Sequence, residues 1–249
     1  MNGEVVCGSY GKLTSLALDP IEKKPLARFH PGSTILSIGS YGCTMHCPWC
    51  QNHEIAQPSD PARLPVRELT PEQVADLAES CLDRGNIGVA YTYNEPFYRW
   101  RDVLECARVV HAHGLKNVVV TNGLIAPEKL EELLPFIDAF NIDLKGFSQD
   151  VYDVCGGTLE QVKETIACAS ASSHVEVTTL LIPGLNDDFA QLEREAQWLV
   201  SLDPVPTLHL TRFFPRYLYA NREPTPLETL YQARDITERY LDDVILGNM

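Results

Sequence analysis

From residue 34 onward the chain alternates short apolar runs with longer amphipathic patterns, and no other feature constrains its fold as much. The runs are TILSIGS (34–40), GVAYTY (88–93), NVVVTN (117–122), AFNIDL (139–144), VEVTTLLI (175–182) and TLHLTRF (207–213). They are short and rich in β-branched or aromatic residues, as strands buried on both faces are. Six such strands alternating with helices predict a parallel sheet, either doubly wound and open or curled into a partial barrel.

The helical patterns carry their own punctuation. TPEQVADLAESCLDRG offers Thr70 as N-cap, Pro71 at the first helical position and Gln73 completing a capping box, with Val74, Leu77, Ala78, Cys81 and Leu82 on one face and Gly85 as the stop. Thr158 and Gln161 repeat the box ahead of a face of Leu159, Val162 and Ile166. Asp188 caps a helix with Phe189, Leu192, Ala196 and Leu199 inward, and a last helix is expected from Thr225. Residues 1–33 read as a leader, with a hairpin expected around GSYGK, and residues 34–249 as one domain. The Pro-rich stretch 57–71 reads as a loop covering a site rather than as a domain boundary.

Lys plus Arg number 20 and Asp plus Glu 34, giving a formal charge of −14. Such a chain repels a phosphate backbone, which argues against nucleic acid and against an anionic membrane surface. No run of about 18 apolar residues exists, and the start lacks the pattern of a signal peptide, so a cytoplasmic location is expected. In a reducing compartment the eight cysteines are thiols or metal ligands rather than disulfides. Cys81, Cys106 and Cys168 fall in helical patterns and read as small buried hydrophobes.

In parallel α/β folds, sites gather at the carboxyl ends of the strands. The polar residues here do so: Asn94 and Glu95 follow the second run, Thr121 and Asn122 end the third, Asp143 and Lys145 the fourth, and Thr211 and Arg212 the sixth. After the first run stands GCTMHCPWCQNH, with Cys43, Cys47 and Cys50 in C-x₃-C-x₂-C spacing. Two readings compete. His53 could complete a four-ligand structural zinc site. Alternatively, three thiolates hold a four-iron cluster whose last iron stays open for a substrate or cofactor.

C-x₃-C-x₂-C after the first strand of a β/α partial barrel resembles the signature of the radical S-adenosyl-L-methionine (SAM) enzymes. The segments DPIEKKPL, FHPGS, LSIG, CPWCQNHEIAQ, YTYNEP, TNG, NIDLKGF, CGGTLEQV, LLIPGLNDD, RFFPRY and PTPLETL with LGN, from about residue 8 to the end, look like the AmmeMemoRadiSam-system radical SAM enzymes. These are in turn similar to pyruvate formate-lyase activating enzymes. The resemblance implies a partial (β/α)6 TIM-like barrel of the radical SAM type with a short N-terminal leader. It implies one 4Fe-4S cluster on Cys43, Cys47 and Cys50, whose open iron is chelated by SAM. Reductive cleavage of SAM would give a 5′-deoxyadenosyl radical that takes a hydrogen atom from substrate.

The resemblance also assigns side chains. Trp49 matches the position that contacts adenine. Glu95, with Asn94, stands where related enzymes bind the methionine amino group through a Gly-Gly-Glu stretch, although Tyr93 and Asn94 replace the glycines. Asp143 and Lys145 match an Asp-x-Lys pair for the ribose and the SAM carboxylate, and their alternation puts both on one face. Asn122 matches an Asp-Thr-Asn-Gly segment whose acid is here Val120, which removes an oxygen ligand for a monovalent cation. Phe214 is expected over the adenosine. Lys23, Lys24, His30 and Arg212 are candidate substrate contacts, and Cys155 a candidate thiol donor or relay. Longer relatives carry a further cysteine-containing N-terminal segment, of which Cys7 would be the remnant, so a single cluster is expected.

Three functions remain open at this stage. The chain is an oxidoreductase of the AmmeMemoRadiSam type with an unidentified substrate, an activase that draws hydrogen from a glycine of a partner enzyme, or a non-catalytic zinc or electron-transfer module. The first two need an external electron donor. The resemblance implies Memo-like or AMMECR-like partners.

Overall fold

The computed structural model describes residues 7–249; Met1–Val6, and with them the start of the leader, lie outside the described residues. Eight strands form the main sheet: β1 (Ser15–Pro20), β2 (Thr34–Gly39), β3 (Asn86–Tyr91), β4 (Lys116–Thr121), β5 (Ala139–Asp143), β6 (His174–Leu181), β7 (Thr207–Arg212) and β8 (Val244–Gly247). They lie side by side in chain order. Every neighbouring pair is parallel except β1 with β2. A doubly wound sheet would reverse its order at a switch point. Steady winding in one direction instead curls the sheet, so this is a partial barrel.

The six expected strands are β2 to β7. The two additional ones sit at the sheet's edges. Leader residues 15–20 pair antiparallel along β2, and VILG at the C-terminus pairs with β7. Around GSYGK the described residues form a turn at Gly8–Gly11, after which Lys12–Leu13 pairs with Arg67–Glu68 in the Pro-rich loop; the first arm of the expected hairpin lies outside the described residues.

Helices cover one face of the sheet: α1 (Pro71–Glu79), α2 (Trp100–Ala112), α3 (Pro127–Leu133), α4 (Gln149–Cys155), α5 (Leu159–Ser170), α6 (Phe189–Leu199) and α7 (Leu227–Thr237). The Thr70–Gln73 box and the Asp188 cap form as the sequence requires. The other two caps do not. Thr158 makes no cap bond, and Gln161 Nε2 donates to the Ile125 carbonyl. The last helix starts at Leu227, since Thr225 Oγ1 donates to the Leu181 carbonyl and accepts from the Phe213 N–H.

The period-two alternation sorts the two faces. Leu36, Ile38, Val89, Val119, Phe140, Ile142, Val177, Leu208 and Leu210 join the large core beneath the helices. Ile35, Ala90, Val118 and Ala139 face the concave side and pack with Ile21 and Leu26 of the leader. Both leader side chains are fully buried, worth roughly 1.5–3 kcal/mol each. The leader thus fills the barrel floor, and Ser37, Asn141, Glu176, Thr178, His209 and Thr211 share that concave face higher up or beside it.

One acid sits under the helices. Glu195 on α6 is 0% exposed and accepts a bond from Thr179 Oγ1 at 2.5 Å, while its second oxygen has no partner. Burial pushes its carboxyl from the ordinary 4.5 up to about 7, against the opposing Thr179 bond. A raised folded pKa places the stability contribution below the unfolded value and removes it as pH rises through about 7. Glu195→Gln is therefore expected to match the parent near pH 5 and to exceed it at pH 8 by about 3 kcal/mol at most. Thermal melts at the two pH values check this; an equal gap at both would show that ionisation is not the cause.

Candidate active site

The cysteine loop leaves the carboxyl end of β2 and is clamped by the ends of its neighbours. After β3, Asn94 Oδ1 accepts from the Ser40 N–H at 2.8 Å and Asn94 Nδ2 donates to the Gly42 carbonyl at 2.9 Å. Gly42 holds φ +95°, and a Cβ there would fall 2.3 Å from the Tyr98 ring, so only glycine serves. After β4, Asn122 Nδ2 donates to Thr44 Oγ1 at 3.0 Å and approaches Cys43 Sγ at 3.6 Å. The Cys155 carbonyl, at the end of α4, accepts from the His46 N–H at 2.8 Å. Beyond β7, the Leu218 N–H donates to the Pro48 carbonyl at 2.9 Å. The Asn52 amide closes the loop onto the Tyr93 carbonyl at 2.7 Å.

The three cysteines therefore stand on a fixed frame, facing Asp143 and Lys145. The Met45 N–H reaches Cys43 Sγ at 3.3 Å, and the Asn52 N–H bonds Cys50. Lys145 Nζ donates to Asp143 Oδ2 at 2.7 Å. Burial pulls the Lys145 ammonium down, but Asp143 and then Cys47 outweigh it and hold its pKa well above the ordinary value.

The three cysteine sulfurs do not all lie within 4.8 Å of one another. Among the described residues, only Asp76, Glu79 and His113 bring three ligand atoms within 4.8 Å of one another. Zinc bonds of ~2.3 Å would place sulfurs roughly 3.8 Å apart. His53 is engaged elsewhere, with Nδ1 3.2 Å from the Cys50 carbonyl and its ring stacked on Tyr217 at 4.2 Å. Wider-set thiols with N–H donors to sulfur suit ligands on separate irons of one cluster.

Other expected residues are placed as follows. Glu95 is not an open carboxylate: it is 3% exposed and accepts from Thr121 Oγ1 (2.7 Å), the Asn122 N–H (2.8 Å) and the Phe97 N–H (2.9 Å). Burial pushes its carboxyl up to about 7 in spite of those three donors. Trp49 is buried against Tyr219 with centroids 5.6 Å apart. Phe214 is 45% exposed beneath the Arg212 guanidinium, whose Nε donates to the Thr225 carbonyl at 2.7 Å.

Residues 21–33 join the amino ends of the parallel strands, because Pro20 pairs with Thr34 at the start of β2. Lys23 and His30 therefore lie at the rim opposite the cysteine loop. Lys24 is buried instead, donating to Asp19 at 2.8 Å and lying 4.6 Å from the centroid of the Tyr93 ring. Tyr93 itself holds φ +71° and donates to Asp19 Oδ2 at 2.6 Å. Sequence reasoning missed Thr44, His46 and Tyr98, whose roles are contacts to or within the loop and carry no motif.

The Radical SAM superfamily profile matches residues 37–196. The chain belongs to the radical SAM superfamily. It is 38% identical, over all of its length and 74% of the relative's, to an uncharacterized protein of Methanocaldococcus jannaschii. It is 21% identical to the pyruvate formate-lyase 1-activating enzyme of Escherichia coli strain K12, across 80% of this chain and 86% of that one. A radical SAM methyltransferase from Sphaerobacter thermophilus shares the fold, with TM-score 0.66 and 18% identity over 88% of this chain and 67% of the other. Membership implies an iron–sulfur cluster and SAM, and the three thiols fit the first of these. Among the described residues no helix of this radical SAM protein is long and apolar enough to cross a membrane.

Proposed function

We propose that this protein is a SAM-cleaving radical oxidoreductase of the AmmeMemoRadiSam type. One observation carries the reading: three thiols on a clamped loop face a half-buried lysine–carboxylate pair. Cys43, Cys47 and Cys50 would hold one 4Fe-4S cluster. Bound together and reduced by one electron, cluster and SAM supply homolysis of a C–S bond and a hydrogen-abstracting radical. The chain's own residues orient and dry the site. Lys145 offers a cation to the SAM carboxylate, and Asp143 steers it and meets the ribose. Trp49 and Phe214 flank the adenosine, the latter at the exposed edge. Asn94, Glu95 and Asn122 act through the loop, since their polar atoms are spent on its backbone and neighbours.

The substrate would enter from the rim that carries Arg212, with the leader closing the floor. An external donor supplies the electron, Memo-like or AMMECR-like proteins are the proposed partners, and the setting is cytoplasmic. The test is anaerobic reconstitution, reduction and quantification of 5′-deoxyadenosine; a cluster-loaded protein that makes none would end the reading. The similarity to a pyruvate formate-lyase activating enzyme favours a second reading, activation of a glycyl-radical enzyme. A persistent glycyl signal by electron paramagnetic resonance with such a partner would select it.

Lys145→Met is expected to weaken SAM binding at least tenfold, about 1.4 kcal/mol, by removing the counter-charge. Equilibrium dialysis of the cluster-loaded protein measures this, and unchanged affinity would remove Lys145 from the SAM site.

A further inference from the structure

We propose that residues 212–222 form a docking surface for an acidic one-electron carrier protein, the external donor that the radical SAM reading requires; the inference rests on that reading. The segment, RFFPRYLYANR, leaves the carboxyl end of β7 and lies against the cysteine loop at three successive residues. The Tyr217 ring stacks on His53 with centroids 4.2 Å apart, the Leu218 N–H donates to the Pro48 carbonyl at 2.9 Å, and Tyr219 packs on Trp49. Pro48 and Trp49 are the two residues between Cys47 and Cys50. Tyr217 holds φ +50° at the start of a single 3₁₀ turn, Tyr217–Tyr219. With both tyrosine rings turned onto the loop, the Leu218 side chain between them points outward and is 68% exposed, the highest value among the described large apolar residues. An apolar side chain is thus displayed to solvent on a backbone tied to the cysteine loop, as at a contact surface for a partner.

Charge decides which partner fits. The chain carries 34 acidic residues in 249, yet positions 204–222 hold none, and Arg212, Arg216 and Arg222 all fall inside that span. Among the described residues, arginine–carboxylate pairs are made by Arg28, Arg63, Arg99 and Arg234, and by none of these three. Arg212 and Arg222 donate instead to the Thr225 and Pro183 carbonyls, at 2.7 and 3.3 Å, which leaves their charge uncompensated. Arg216 and Arg222 are exposed on either side of Leu218, and the bordering acids in sequence are Glu223 and, on the cysteine loop, Glu54. A local positive field on a chain of net charge −14 steers an acidic partner to this rim and away from the rest of the surface. A carrier seated on Leu218 has one layer of residues between itself and the cysteine loop. One electron passes from the reduced carrier to the oxidised cluster, with no bond made or broken and no proton moved.

The experiment uses the full cluster-loaded chain, with a plant-type ferredoxin of net negative charge as the probe. Calorimetry reads the affinity for oxidised ferredoxin at low and high ionic strength. The parent is expected to bind at low ionic strength, and Arg216→Glu at least tenfold more weakly and with a shallower salt dependence. Leu218→Ser should weaken binding with the salt dependence unchanged. Arg84→Glu makes the same charge reversal beside the amino end of β3, at the opposite rim, and should bind as the parent does. Dithionite, a small reductant that needs no docking, should drive equal 5′-deoxyadenosine formation in the parent and all three variants, whereas the ferredoxin-driven rate should fall in Arg216→Glu and Leu218→Ser alone. A parent that does not bind ferredoxin, parent-like affinity in Arg216→Glu, or an equal loss in Arg84→Glu would each overturn the proposal. So would loss of the dithionite-driven product in Arg216→Glu and Leu218→Ser, which would make the segment part of the SAM site. A cluster-loaded parent that yields no product even with dithionite would instead overturn the radical SAM reading beneath it.

Discussion

Cys47→Ala is expected to abolish 5′-deoxyadenosine formation and to lower bound iron from about four per chain to a small remnant. The same is expected of Cys43→Ala and Cys50→Ala. Each thiol sits on a loop held from several sides, so no other side chain can swing in as a replacement. Cys155 is a further thiol, but its backbone is tied to His46 and its side chain is fully buried. Cys168→Ala, on the half-buried face of α5, should leave both readings unchanged. His53→Ala separates the metals: a zinc site would lose its ion, whereas a three-thiolate cluster would keep its iron. Chromatographic quantification beside an iron and zinc count is the measurement. Zinc in the parent and its loss in His53→Ala would return the loop to a structural role, and clearly more than four irons would mean a second cluster.

The frame of the site was legible because strand alternation and cysteine spacing are local patterns. Six strands fall within two residues of their expected bounds, and the polar residues after them do converge on one rim. What was not legible depends on partners distant in sequence. Glu95 and Asn122 stand beside the cysteine loop as expected, yet their polar atoms bind the protein's own backbone and side chains, and no motif distinguishes a ligand contact from a loop brace. The capping box at Thr158 is correct in letters and absent in fact, and the Gln161 amide instead donates to the carbonyl of Ile125, 36 residues away. The leader gave the least signal. Ile21 and Leu26 lie outside any periodic pattern, and only the closed floor of the barrel explains their burial.

Glu176 is the hinge of that floor, and its replacement should have the largest effect on stability. In VEVTTLL it reads as an ordinary charged residue of a strand, but it is 0% exposed. Its two oxygens accept four bonds: from the Ala27 N–H at 2.9 Å, the Arg28 N–H at 2.8 Å, His174 Nε2 at 2.9 Å and His209 Nε2 at 2.6 Å. All lone-pair positions of the carboxylate are thus used. Two of the donors belong to the leader, so this one side chain ties residues 27 and 28 to β6 and β7. Glu176→Gln presents an N–H₂ group to donors and leaves at least one of them unpaired, and is expected to cost about 3–5 kcal/mol, a fall in melting temperature on the order of 10 °C. Burial would raise the Glu176 pKa, but the two histidines and the two N–H donors outweigh it and hold the carboxyl well below its usual range. A depressed folded pKa gives a contribution that is complete above the ordinary carboxylate value and lost as pH falls through the folded one. The gap between parent and variant should accordingly be full at pH 7 and shrink below about pH 4.5. Melting curves across that range read it directly. A gap that stays constant down to pH 3 would mean that the amide disturbs packing rather than removing a charge, and a gap near zero at pH 7 would mean that the leader is held by Ile21 and Leu26 alone.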